Sequence, residues 1–134
     1  MMDAELAVDE SQVTGSDFSS ESGYLSAKTI LESGTEGPLA FFALGNQIAL
    51  GAISAIREFG LRVPDDISVI TFDDQLYFEL TDPAITTIQQ PIKKIAEEAV
   101  RSLLEKMRGE EVSNALLNPK MIERASVRNL NSDL

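Results

Sequence analysis

The stretch Pro38-Leu39-Ala40-Phe41-Phe42-Ala43-Leu44-Gly45-Asn46 decides how the rest of the chain is read. Six consecutive apolar residues without alternation, Leu39 to Leu44, predict a strand buried on both faces, as inside a parallel sheet. Asn46 is placed to cap a following helix. Along that helix Ile48, Ala49, Ala52, Ile53, Ala55 and Ile56 recur at helical spacing. Gly51 weakens the helix by about 1 kcal/mol relative to Ala, which predicts a compensating close approach to a neighbouring backbone, and Gly60 closes the unit.

Downstream, Val63-Pro64-Asp65-Asp66 reads as a turn and Ile67–Phe72 as a second buried strand, with Asp73 and Asp74 at its carboxyl end. Ile85–Ile88 is a shorter strand. Pro91, suited to a first helical position, opens the strongest amphipathic pattern: Ile92, Ile95, Ala96, Ala99, Val100, Leu103, Leu104 and Met107. Glu97 and Arg101 are spaced for an i,i+4 ion pair, and Gly109 stops the helix. Ala115–Val127 reads as extended, and Pro119 assigns it to an edge or to an irregular crossing. Upstream, Asp17-Phe18-Ser19-Ser20 offers serine caps for a helix carrying Tyr24, Leu25, Ala27, Ile30 and Leu31, ended by Gly34. Residues 1–12 show little periodicity and read as a ragged segment, and 128–134 as a tail.

Strands alternating with helices predict an α/β fold, a parallel sheet in αβα layers. Ligands in such folds sit outside the carboxyl ends of the strands. Two polar clusters fall there, Gly45-Asn46 and Asp73-Asp74.

Composition narrows the chemistry. The 134 residues suit one domain, and no apolar run reaches bilayer length. The chain has no cysteine and no histidine, which excludes thiolate metal sites, most zinc sites and every histidine-based triad. No metal or cofactor is expected, and no secretory signal is visible, so the expected location is cytoplasmic. The net charge is −11, with 15 acidic and 3 basic residues over 1–89. Such a surface repels phosphate backbones, so this chain by itself is not expected to bind nucleic acid.

Asp73 and Asp74 can accept hydrogen bonds from ligand hydroxyls or amines, or serve as a turn residue and a solvated charge. A carboxylate-pair enzyme lacks any supporting nucleophile or oxyanion hole. Phe18 can stack on a flat ligand or fill the core. Asn46 and Gln90 can contact a ligand or have local structural roles.

The segments Pro38–Ala43, Ala49–Ala52, Gly60-Leu61-Arg62-Val63-Pro64-Asp65-Asp66-Ile67-Ser68-Val69-Ile70, Phe72–Asp74, Leu80–Pro91 and Glu123-Arg124-Ala125-Ser126 resemble, in unbroken order, the C-terminal half of LacI/GalR-family transcriptional regulators. Ser16–Tyr24 is similar to the segment that enters that family's effector site. The resemblance covers about Val13 to Val127. It implies a periplasmic-binding-protein-like C-terminal subdomain, incomplete because its first strand and helix, the N-terminal subdomain and the DNA-binding headpiece have no counterpart here. Operator DNA would then be reached only through that headpiece, and no membrane is involved.

By position, Phe18 matches the aromatic that stacks on the effector, Asp73 the carboxylate receiving its polar groups, and Gln90 an amide near the cleft. The effector expected is a sugar or a nucleobase-like molecule. Gly45-Asn46 stand where the family usually has Asn-Asp, and Thr71 replaces a common glycine. The resemblance also implies a two-fold contact through Ala49, Leu50, Ile53 and Thr81, with Gly51 permitting close approach. In the family the 91–108 helix crosses over to pack on the N-terminal subdomain. Here Ile92, Ile95, Val100, Leu103 and Met107 are therefore expected to be exposed or swapped onto a partner, giving a homodimer or higher oligomer. The alternative reading is a solute-binding protein of a sugar transporter with the same fold.

Overall fold

The computed structural model describes residues 12–34 and 37–130. The ragged segment expected over 1–12 therefore lies, apart from Gln12, outside the described residues, as do positions 131–134 of the expected tail.

The described chain runs α1 (Ser20–Ser33), β1 (Leu39–Ala43), α2 (Asn46–Glu58), β2 (Ile67–Phe72), a 3-10 turn (Leu76–Phe78), β3 (Thr86–Gln89), α3 (Ile92–Met107) and β4 (Lys120–Ile122). The strands form one sheet in the order β1-β2-β3-β4. β1, β2 and β3 are parallel, with Phe41 opposite Val69 and Thr71 opposite Thr87. β4 joins β3 antiparallel at an edge, where the proline-bearing segment was expected.

One face of the sheet carries the core. Ala43, Ile67 and Val69 pack with Ala49, Ile53 and Ile56 of α2, and Phe78 and Ile85 close the cluster from the loops. α1 lies on α2 rather than on the sheet. Two glycines make that crossing possible. A Cβ on Gly51 would stand 1.9 Å from the Ser20 carbonyl oxygen, and one on Gly23 2.3 Å from that of Ile48. The close approach expected of Gly51 is thus made to α1 of its own chain, which corrects its placement in a contact between copies.

The opposite face differs from the expectation of a fully buried β1. Ala40 is exposed and Phe42 is 52% exposed, because no described helix covers that side. β1 alternates instead of being buried on both faces. β2 keeps its even residues half-covered.

α3 has no buried residue. Ile92, Ile95, Val100, Leu103, Leu104 and Met107 all face solvent. Pro91 is its N-cap rather than its first helical residue. Arg101 pairs with Glu98 and Glu105, not with Glu97 as the spacing suggested, and Glu97 accepts Lys93 instead.

The last crossing is held by Ser126, which is fully buried. Its hydroxyl donates to the Val69 carbonyl and accepts from the Thr86 N–H, and Val69 N–H donates to the Ser126 carbonyl. A buried backbone group left unpaired there would cost about 1–3 kcal/mol.

Candidate functional site

Parallel strands deliver their following residues to one edge, and three neighbours do so here. Gly45 follows β1 by two residues, Asp73 follows β2 directly, and Gln90 follows β3 directly. Gly45-Asn46, Asp73 and Gln90 therefore follow neighbouring strands along one carboxyl edge.

Phe18 reaches the same edge from the turn before α1. The Asp17 carboxylate accepts from the Ser19 N–H at 2.8 Å, and the Ser19 hydroxyl caps α1 by accepting from the Ser22 N–H. Hydrogen bonding from the Ser19 side chain, and then from its backbone N–H, holds the Asp17 carboxyl below its ordinary range. Ser22 Oγ accepts from the Ser16 N–H on the other side. The turn pinned at both ends presents Phe18 outward, 70% exposed, which excludes the core alternative for this ring. Its Cδ1 is 3.3 Å from where a Cβ on Gly45 would stand, so ring and backbone are neighbours because position 45 is glycine.

Asn46 is not the helix cap that the sequence suggested. Gly45 occupies the N-cap with extended backbone and no side-chain cap bond, and Asn46 is the first helical residue. The Asn46 amide is therefore not consumed by capping α2.

Asp73 has φ +69°, and among the described residues it is alone among non-glycines in taking a positive φ. Its N–H donates to the Ile88 carbonyl at 3.0 Å, and its carboxylate accepts from Gln90 Nε2. The family resemblance implies that these two side chains lie near one another, and the structure brings them into direct contact.

Asp74 faces another way. Arg124 Nη1 and Nη2 donate to its two oxygens at 2.9 and 3.2 Å, and the Thr87 hydroxyl donates at 2.8 Å. The Arg124 hydrogen bond, aided by Thr87 against desolvation, holds the Asp74 carboxyl below its ordinary range. Asp74 is thus a half-buried structural anion, and the pair of aspartates is not a shared acid–base site. Sequence reasoning missed Arg124, because nothing local marks a partner fifty positions away.

The dimer candidates fall elsewhere. Ala49 is fully buried and Ile53 is 8% exposed in the chain's own core, while Leu50 and Thr81 are half-buried. Ile53 and Thr81 line one groove of about 310 Å³ with Arg57, Arg62, Val63 and Pro83. The described residues include no group of acidic side chains arranged to hold a metal.

Residues 1–127 match the description "Periplasmic binding protein-like domain". The chain belongs to this family. Among periplasmic binding protein-like relatives, the HTH-type transcriptional repressor PurR of Klebsiella pneumoniae is 40% identical over 129 residues, which are 95% of this chain and 38% of that protein. A sugar-binding transcriptional regulator of the LacI family from Escherichia coli, solved with phosphate, superposes with a TM-score of 0.81 at 28% identity. The match covers 94% of this chain and 45% of that one. The Lac repressor dimer bound to operator and an anti-inducer gives a TM-score of 0.75 at 35% identity, covering 83% and 39%. The chain spans about two-fifths of the length of the relatives it matches. The periplasmic binding protein-like family thus accounts for the parallel-dominated sheet.

Proposed function

We propose that this chain is the effector-sensing and dimerisation part of a LacI/GalR-like transcriptional regulator, acting in the cytoplasm and reaching operator DNA through a headpiece outside this chain. The observation that carries the reading is the convergence of Phe18, Gly45-Asn46 and the Asp73–Gln90 pair on one carboxyl edge. An aromatic face, a carboxylate and two amides suit a flat or ring-shaped polar molecule, such as a sugar or nucleobase, held by stacking and hydrogen bonds. No nucleophile with an adjacent base accompanies them, so the role is binding rather than catalysis. The relatives are repressors, which favours regulation over solute transport.

A regulator of this kind works by differential affinity of two subdomain arrangements for the effector. A second copy would meet this one across the groove shared by Ile53 and Thr81. An isologous contact of this sort needs a self-complementary patch, and the matched Lac repressor is a dimer.

The test is a thermal-shift screen of the chain against pentoses, hexoses and nucleobases. A ligand at one hundred times its Kd stabilises by about 2.7 kcal/mol. The reading expects one class to raise Tm for the wild type and to lose that effect in Asp73→Ala and Phe18→Ala. A ligand that stabilises both variants as strongly as the wild type would refute it.

A further inference from the structure

Arg124 lies just beyond β4, yet its side chain converges on the turn after β2. Its backbone N–H donates to Thr86 Oγ1 at 3.0 Å, and Nη1 donates to the Ile85 carbonyl at 2.8 Å. Nη1 also reaches Thr87 Oγ1 at 3.2 Å and Nη2 reaches Glu79 at 3.1 Å. Braced in this way, and with its side chain only 10% exposed, the guanidinium meets Asp74 as a two-pronged fork. Such pairs fix orientation as well as charge, because both groups are planar.

That fork bears on the residue next door. A non-glycine residue at positive φ is held in a sparsely populated conformation, which persists only where the surroundings over-determine it. Asp73 is held on one side by β2 and by its N–H bond to Ile88. On the other side the holding group is Asp74, anchored by Arg124, by Thr87 and by Gln89 Nε2 at 3.4 Å. We propose that Arg124 is a positioning residue for the ligand edge: by clamping Asp74 it fixes the left-handed turn that turns the Asp73 carboxylate onto Gln90. The importance of that pair rests on the effector reading above, and the geometry of the clamp does not. The final segment of the chain is thereby coupled to the site across fifty positions of sequence.

The test reads the Asp73–Gln90 contact with no ligand present. In the ¹⁵N-labelled chain the Gln90 side-chain amide resonance is assigned by its loss in Gln90→Glu, and its free position is set by Asp73→Ala. Arg124→Lys keeps the charge and removes the fork, and Asp74→Asn keeps the shape and removes the charge. The proposal expects both variants to move the Gln90 amide most of the way to its Asp73→Ala position, while amides of α1 and α2 stay in place. An unmoved Gln90 resonance in either folded variant overturns it. Loss of the dispersed spectrum in both variants assigns the pair to fold maintenance alone and also overturns it. Failure of the effector reading is seen separately, in the ligand screen.

Discussion

Asp74 gives both carboxylate oxygens to Arg124, whereas its neighbour Asp73 accepts from the Gln90 amide at the sheet edge. A clamped carboxylate of this kind has a consequence for acid stability. The Asp74 carboxyl is held below its ordinary range in the fold, mainly by the Arg124 hydrogen bond. A group whose folded pKa is depressed contributes stability above its unfolded value, near 3.8, and loses it as pH falls through the folded value. Asp74→Asn should therefore lower Tm at neutral pH, by an amount set by weakening part-buried hydrogen bonds to a charged group, about 1.5–3 kcal/mol. The gap to the wild type should narrow below about pH 4. Thermal melts across pH check this, and a constant gap from pH 7 to pH 2 would contradict it. Asp73 could be placed at the sheet edge from the sequence, because strand ends are legible as apolar runs stopping at polar residues, whereas Gln90 is indicated only by the family resemblance. Arg124 could not, since its partner is set by how the last segment crosses the sheet.

At the scale of elements, the two glycines of the α1–α2 crossing decide how those helices pack. Alanine at position 51 gains about 1 kcal/mol of helix propensity. It also forces a methyl group to within 1.9 Å of the Ser20 carbonyl, against backbone that cannot rotate away. The clash dominates, since overpacking of this kind costs typically 1–3 kcal/mol and occasionally more. Gly51→Ala should lower Tm, and chemical denaturation should show a reduced midpoint; an unchanged or raised midpoint would show that the crossing relaxes freely. The helix periods, their glycine stops and the strand β2 could all be read from residue patterns. What the close approach of Gly51 was made to could not, because a glycine records that a backbone comes near and not which one. The continuous apolar run of β1 misled for a similar reason: Phe42 is apolar, but the described chain supplies no layer above it.

At the scale of the whole molecule, the exposed face of α3 is the largest departure from ordinary burial. Each large apolar side chain left in water forgoes roughly 1.5–3 kcal/mol, and a contiguous strip of this sort favours association. A second copy of α3 in antiparallel register is the expected cover for the strip. Ile92 then falls opposite Met107, Ile95 opposite Leu104, Ala96 opposite Leu103 and Ala99 opposite Val100. The 134-residue chain should therefore sediment as a dimer or larger species at tens of micromolar, on the order expected for a micromolar Kd. Leu103→Asp should reduce its mass, whereas a wild-type monomer at that concentration would contradict the pairing.

The central claim is that the carboxyl edge of β1, β2 and β3 is the effector site. It is tested most directly by mapping amide and side-chain chemical shifts while the sugar or nucleobase selected by the thermal screen is titrated into the ¹⁵N-labelled chain. The account predicts that the largest changes fall on Phe18, Gly45, Asn46, Asp73 and the Gln90 amide, and that Asp73→Ala abolishes them. Saturable changes confined to the Ile53–Thr81 groove or to α3, with the Gln90 amide unmoved, would contradict it.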